Sequence, residues 1–350
     1  MFEMKDEWLA ADKVKREDYT KVLDIGKEFL YLSYADCKNT GTTEPEIIAA
    51  TEQGMVDYSK RICEMPAKIG IHPMPDSLMH AMPAYMPEQY ACGIKWGSNF
   101  PTNKKMFNVS STNCQIIYND VLTGWPLAIM DASWITELRT PATAIVGIKY
   151  GGNLDATTWG MIGCGIQGRN NVRMIKHILK KLETIYIYDV VEEAMDYLIE
   201  VDQPLVDARI VKCHSYEEIV KSAEILTSAT PIAHVPDPPV KDEWVSKGQT
   251  LICLDCHTVY ADSIYKRADK YYQDSVPEHE LLQTYGTYPW GFPTITGETG
   301  AMAAGLVPGR ESKDELVIVN NVGMASEDMM CAKIIFDRAI ENGIGTKLPL

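Results

Sequence analysis

Basic charge is scarce in this chain. Lys and Arg number 33 against 48 Asp and Glu in 350 residues, a formal net charge of −15. So acidic a chain repels phosphate backbones, and a nucleic-acid partner is not expected. The one dense basic cluster, Lys176 with Lys180 and Lys181, reads as the solvated end of a helix. Long hydrophobic runs are missing too. No stretch approaches the ~20 apolar residues that a membrane helix needs, and the opening MFEMKDEWLAADKVKRED lacks the apolar centre of a signal peptide. The nine cysteines are odd in number and scattered, so reduced thiols in a cytoplasm are expected rather than a disulfide framework. Internal repeats, low-complexity tracts and Gly/Ser linkers are absent. What is present is ordinary for a globular protein: 46% apolar and 23% charged residues, in a length suited to two domains.

Residues 1–65 read as helical. Asp18-Tyr19-Thr20 precedes an apolar set at Val22, Leu23, Ile25, Phe29, Leu30 and Leu32, and Glu46 through Ile62 repeats the pattern after a polar break. From 66 to 130 prolines (Pro66, Pro73, Pro75, Pro83, Pro87, Pro101) interrupt short apolar runs such as Tyr90–Trp96 and Cys114–Tyr118, which suggests strands joined by turns. Asp131 is placed to cap a helix over roughly 132–150. From 157 the pattern becomes strand, helix, strand: Thr157–Ile162, Thr184–Tyr188, Ala208–Val211, Ile225–Ser228 and Thr250–Leu254 alternate with helical spacers. That alternation implies a parallel, doubly wound sheet. A long helix from about Ser326 to Asn342, closed by Gly343, ends the chain.

The strongest local motif is Gly163-Cys164-Gly165-Ile166-Gln167-Gly168, a GxGxxG turn between an apolar run and an amphipathic helix. Its glycines permit the sharp turn, the close approach of backbone to a pyrophosphate, and tight packing of helix on strand. Asp189 closes the next strand, about 20 residues on, where a ribose-binding carboxylate belongs. A carboxylate there favours NAD over NADP, because it repels a 2′-phosphate. The competing role for Asp189 is a helix N-cap.

Lys95 follows the apolar run Ala91–Ile94, so it is either a snorkelling edge residue or a placed cation. Asp255 ends an apolar strand of the parallel sheet. That is a good location for acid–base work, with a helix N-cap as the competing role. Cys253-Leu254-Asp255-Cys256-His257 matches CxxCH in form, but with no export signal haem is not expected, and with no second CxxC or HxxxH partner neither is zinc.

Three segments taken together carry a resemblance: Ala132–Ala144 (ASWITELRTPATA), the turn Gly163–Gly168, and Gly323–Gly345 (GMASEDMMCAKIIFDRAIENGIG). With Met82-Pro83-Ala84-Tyr85, Gly93-Ile94-Lys95 and Gly305–Arg310, they resemble the ornithine cyclodeaminase/mu-crystallin family, in the right order from about residue 66 onward. The family includes ornithine cyclodeaminases, alanine dehydrogenases of this fold, ketimine reductases and hormone-binding mu-crystallins. The resemblance implies that Lys95 holds the substrate carboxylate beside the reacting carbon and that Asp255 is the catalytic aspartate. It implies cofactor contacts from Ser110, from Arg139 at the pyrophosphate, from the turn residues Gly163, Gly165, Ile166, Gln167 and Gly168, from Asp189 at the adenosine ribose, and from Thr230 near the nicotinamide. Two positions depart from the family pattern. Lys68 stands where an arginine commonly binds the substrate carboxylate, and lacks its bidentate fork. His80 stands where ornithine cyclodeaminases carry a Glu.

These readings together predict an α/β fold, with a Rossmann-type doubly wound sheet over 136–314. A second α+β domain, from 1–135 with 315–350, is expected to bind the substrate and form a homodimer, the dimer being implied by the resemblance. The expected activity is NAD-dependent cyclodeamination of an L-amino acid, with hydride leaving the α-carbon to give an imine and ammonia being released. Amino-acid dehydrogenation or imine reduction is the alternative, and a non-catalytic binding protein or accessory subunit the second. Lys95 and Asp255 argue against the last of these; His80 weakens the first.

Overall fold

The computed structural model describes residues 5–350 apart from Pro75 and His234. The expected proline break at Pro75 and the first four residues of the N-terminal stretch therefore lie outside the described residues. In chain order, the first part runs α1 (Asp6–Thr20), β1 (Glu28–Leu32), α2 (Tyr34–Asn39), α3 (Glu44–Ser59), β2 (Ile69–Ile71) and β3 (Leu78–Met86). It continues through β4 (Ala91–Asn99), α4 (Asn103–Phe107), β5 (Thr112–Asn119), β6 (Pro126–Asp131) and α5 (Ser133–Gly151). The second part runs β7 (Thr158–Ile162), α6 (Ile166–Met174), β8 (Thr184–Tyr188), α7 (Glu192–Asp202), β9 (Arg209–Lys212), α8 (Tyr216–Ser222), β10 (Ile225–Ser228) and β11 (Thr250–Cys253). Then come α9 (Asp262–Lys266), β12 (Lys270–Gln273), α10 (Val276–Thr284), β13 (Gly297–Glu298), α11 (Thr299–Ala303), β14 (Val317–Asn320), α12 (Ala325–Asn342) and β15 (Thr346–Pro349).

The chain divides into two compact units, Met1–Arg139 with Met324–Leu350, and Thr140–Gly323. The expected boundaries were 135/136 and 314/315; β14 lies in the unit of the larger sheet, paired between β11 and β12.

The unit 140–323 is a Rossmann-type layer. Its eight strands, in the order β13-β12-β14-β11-β10-β7-β8-β9, are all paired in parallel. Such strands are covered on both faces and read as continuous apolar runs. β10, β11 and β14 are buried at every position, and Ile162, Leu226, Leu251, Cys253 and Ile318 share one core. The order reverses beside β7, so the carboxyl ends of β7 and β10 form the switch point where such sheets bind ligands.

The other unit carries a seven-stranded sheet, β15-β1-β6-β5-β4-β3-β2, antiparallel except where β1 meets β6. α12 and α3 pack together, and α12 lies on β3 and β4. α12 ends where expected, at Gly343 in the left-handed conformation. Asp131 caps α5 as expected: its Oδ1 accepts from Ser133 N at 2.9 Å and Trp134 N at 3.3 Å.

Two expectations fail here. The apolar set 22–32 is not a helix; α1 stops at Thr20, and Glu28–Leu32 is a strand whose Leu30 and Leu32 point into the core. Period-2 burial in five residues is easily mistaken for a helical stripe, and the partners that decide it, β6 and β15, lie about 100 and over 300 residues away. Pro83, read as an interruption, sits inside β3 opposite Ile94 of β4. The short β2 pairs only with Met79–Ala81, so the far side of Pro83 has no β2 partner to which an N–H would donate.

Candidate functional site

In the unit 140–323 the glycine turn is built for close backbone approach. Gly163 has φ +96°, and a Cβ there would lie 2.6 Å from Ala229 O. A Cβ on Gly168 would lie 1.9 Å from Gly163 O, so α6 can reach the turn only with glycine at that position. Gly165 has open space before it and starts α6 with no side-chain cap, and the first turn carries no acidic residue. Helix amides with their partial positive charge thus face outward, over a surface that suits a pyrophosphate. These residues fit a dinucleotide on the evidence of the cradle itself.

Asp189, at the end of β8, accepts from Cys164 N at 2.7 Å through Oδ2 and from Val191 N at 2.9 Å through Oδ1. Its carboxylate braces the turn. The neighbouring Cys164 thiol is pushed up to about 12 by burial and then by the Asp189 charge, which makes it a poor nucleophile.

Asp255 is completely buried just beyond β11. Ser228 Oγ donates to its Oδ1 at 2.7 Å, and Thr230 donates to Oδ2 through both N (2.9 Å) and Oγ1 (2.8 Å). Burial raises its carboxyl above the usual range despite these bonds. The structure therefore brings two expected residues together, Thr230 and Asp255, and adds Ser228, which the sequence reading missed. Ala229, between the two donors, is the residue that presses on Gly163, so Asp255 also anchors the loop beside the glycine turn.

In the other unit, Lys95 and Arg139 meet. Lys95 points from β4 to the buried face of the sheet, opposite Met82 and Ile116. Its Nζ lies 2.6 Å from Asp328 Oδ2, while Arg139 Nε donates to Asp328 Oδ1 at 3.0 Å and Arg139 lies 3.5 Å from Glu327. Burial, and then the charge of Arg139, push the Lys95 ammonium down, and Asp328 opposes the shift. Glu327 and Asp328 were overlooked in the sequence, although an acidic pair followed directly by the apolar run Met329–Ala332 is a signal. Glu327 also accepts from Met324 N at 3.1 Å, closing a capping box on α12.

Lys68 and His80 are also buried in this unit. His80 is pushed down to about 3, by burial first and then by the charges of Lys68, His72 and Lys95, so its ring is neutral at physiological pH. Ser110 is exposed in the loop between α4 and β5, its hydroxyl accepting from Thr112 N at 3.3 Å. It stands apart from the Lys95 cluster.

A family model, ornithine cyclodeaminase/mu-crystallin, matches residues 30–343. The chain belongs to that family. Among its relatives is the N-((2S)-2-amino-2-carboxyethyl)-L-glutamate dehydrogenase of Staphylococcus aureus, 25% identical over 93% of this chain and all of that protein. In structure the chain is similar to the Delta(1)-pyrroline-2-carboxylate reductase of Thermococcus litoralis in complex with NADH and L-proline. The TM-score is 0.79 and the identity 26%, over 91% of this chain and 99% of that one. An archaeal alanine dehydrogenase dimer with bound NAD gives a TM-score of 0.81 at 24% identity, over 92% and 99% of the two chains, and shares the fold. No helix among the described residues is long and apolar enough to cross a membrane.

Proposed function

We propose that the protein is an NAD-dependent enzyme acting at the α-carbon of an amino or imino acid, and within that class an amino-acid dehydrogenase or imine reductase. The observation that carries the reading is the glycine cradle, with open space before Gly165 and an uncapped helix start behind it. Gly163, Gly165, Ile166, Gln167 and Gly168 would hold the pyrophosphate and Asp189 the ribose. Bound NAD supplies the hydride acceptor, and NADH the donor in the reverse direction.

The chain's own residues divide the remaining work. Lys95 and Lys68 neutralise the substrate carboxylate, and Asp328 fixes the Lys95 ammonium by its 2.6 Å contact. Arg139, tied to that same carboxylate, is assigned to anion binding beside Lys95 rather than to an independent contact. Asp255 holds or accepts a proton at the substrate nitrogen, and its raised carboxyl suits proton exchange. Thr230 orients Asp255, and the family resemblance assigns Ser110 to the cofactor.

His80 supports the choice between the chemistries. Cyclodeamination needs a second, terminal ammonium on the substrate and a group to hold it. A neutral imidazole brings no negative charge to hold that cation, and the Lys68 and Lys95 charges beside it disfavour one, where a carboxylate would attract it. Dehydrogenation and imine reduction make no such demand, and the activities of the relatives from Staphylococcus and Thermococcus support that choice.

The unit 1–139 with 324–350 is assigned to substrate binding and homodimer formation. One face of its sheet carries an apolar row in register across five strands, Tyr31, Ile129, Ile117, Ile94 and Pro83, with Tyr31 and Ile117 exposed at 43% and 40%. Such a stripe suits a second copy.

Incubating the protein with NAD and a panel of amino acids, while recording ammonia and NADH absorbance, tests the assignment. Ammonia with NADH is expected from a dehydrogenase of primary amino acids, and NADH without ammonia from an enzyme whose imine is cyclic. Ammonia without NADH means cyclodeamination, and neither means a binding protein.

A further inference from the structure

His257 is two residues beyond Asp255, at the carboxyl end of β11, the side of a parallel sheet where ligands bind. It is fully buried, and among the described residues neither Nδ1 nor Nε2 has a hydrogen-bond partner. Buried polar groups in this condition are rare and call for a reason. Packing supplies none, because every ring against it is aromatic. Tyr265 stacks on it at 3.9 Å and 25°, Tyr288 meets it edge-on at 4.6 Å, and Trp290 lies nearly parallel at 6.3 Å. Phenylalanine would fill that space with no orphaned nitrogens.

Three further observations point the same way. Trp290 is 42% exposed, so the column of rings runs from solvent to the buried imidazole. Cys256, directly before His257, holds φ +59°, a left-handed conformation that a side chain adopts at a cost. Its carbonyl is clamped there by Tyr265 Oη at 3.3 Å and Asn320 Nδ2 at 3.4 Å, which aims the next residue. Gln273, paired with Asn320 in the neighbouring strand, also leaves Oε1 without a partner among the described residues.

We infer that His257 is the polar floor of a side-chain recognition pocket in the unit 140–323, taking an amino or imino acid whose side chain ends in a neutral amide or hydroxyl. The inference rests on the function proposed above and names its substrate class. A neutral imidazole offers one donor and one acceptor, which an amide or hydroxyl matches. Burial, and then His279, hold the ring down to about 3, so it offers no positive charge to a carboxylate. Tyr288 and Trp290 belong to a strap, 285–292, that has neither helix nor strand, and on this proposal it has to move aside to admit the ligand.

Calorimetry with NAD present tests this on matched pairs, glutamine against norleucine and serine against 2-aminobutyrate, for the parent, His257→Phe and His257→Gln. The parent is expected to bind the polar member tighter by roughly 10–100-fold. His257→Phe should lose that preference, bind NAD as the parent does and melt at or above the parent, while His257→Gln should restore part of the preference. Preference surviving in His257→Phe, tighter binding of the apolar member by the parent, or clearly earlier melting of His257→Phe overturns the pocket. Failure of the parent to bind any amino acid, with NAD binding intact, overturns the proposed function and this inference with it.

Discussion

Replacing Asp255 with Asn separates two jobs that the structure superimposes on one carboxylate. The side chain accepts three hydrogen bonds, from Ser228 Oγ, Thr230 N and Thr230 Oγ1. An asparagine with its oxygen at the Oδ2 position keeps both Thr230 bonds, and its amide meets a serine hydroxyl that can turn to accept. What is lost is the charge assistance in each bond, worth up to about 1 kcal/mol apiece. Removing a buried charge offsets much of this, since burial already strains the ionised form. The net change should be within about 1 kcal/mol, or roughly 2–4 °C in melting temperature for a unit of this size. Turnover should behave differently. If Asp255 moves the proton at the substrate nitrogen, Asp255→Asn loses roughly 10²–10⁴ in rate, about 3–5 kcal/mol in the barrier. NAD affinity should stay near the parent value, because the cradle is untouched. Asp255→Ala is the contrast: it leaves three buried donors without an acceptor and should cost several kcal/mol in stability. Thermal melting, NAD titration and NADH-linked turnover on the two variants complete the test. Parental turnover in Asp255→Asn would falsify the catalytic assignment and leave the carboxylate as an anchor for the Ser228–Thr230 loop.

Lys95→Ala should raise KM and lower kcat in the NADH-linked assay while NAD binding is unchanged; parental kinetics would make the lysine a structural partner of Asp328. Asp189→Ala should narrow the preference for NAD over NADP measured by calorimetry, and tighter NADP binding by the parent would contradict the reading of that carboxylate. Gly168→Ala places a methyl 1.9 Å from Gly163 O and should abolish NAD binding or folding, whereas Gly165→Ala, with open space before it, should fold normally by circular dichroism. Asp12 is buried in α1 with neither oxygen hydrogen-bonded among the described residues, and burial, then Asp120, push it up to about 6. The folded chain holds that proton more tightly than the unfolded one, so its stabilising contribution is present below pH ~4 and is lost as pH rises through about 6. Asp12→Asn should therefore melt later than the parent at pH 7 by roughly 1–3 kcal/mol of stability, with the gap closing toward pH 4; a gap independent of pH refutes the assignment.

What could be read from the chain alone was whatever neighbouring residues decide among themselves. The glycine turn is such a feature: Gly163, Gly165 and Gly168 are set by backbone conformation and by contacts spanning a few residues, so their spacing announces the cradle before any fold is known. The Asp131 cap on α5, the Gly343 stop on α12 and the apolar strands of the parallel sheet are legible for the same reason, since propensity and period act locally. Only the tertiary structure could decide whether Glu28–Leu32 is strand or helix, because β6 and β15 supply the hydrogen bonds. The same holds for the pairing of Lys95 and Arg139 across Asp328, on an element that arrives 189 residues after Arg139. It holds again for Asp255, whose neutral or charged state depends on Ser228 and Thr230 and on how completely water is excluded. Charges in a low-dielectric interior take their meaning from partners within a few ångströms, and those partners are chosen by packing rather than by position along the chain.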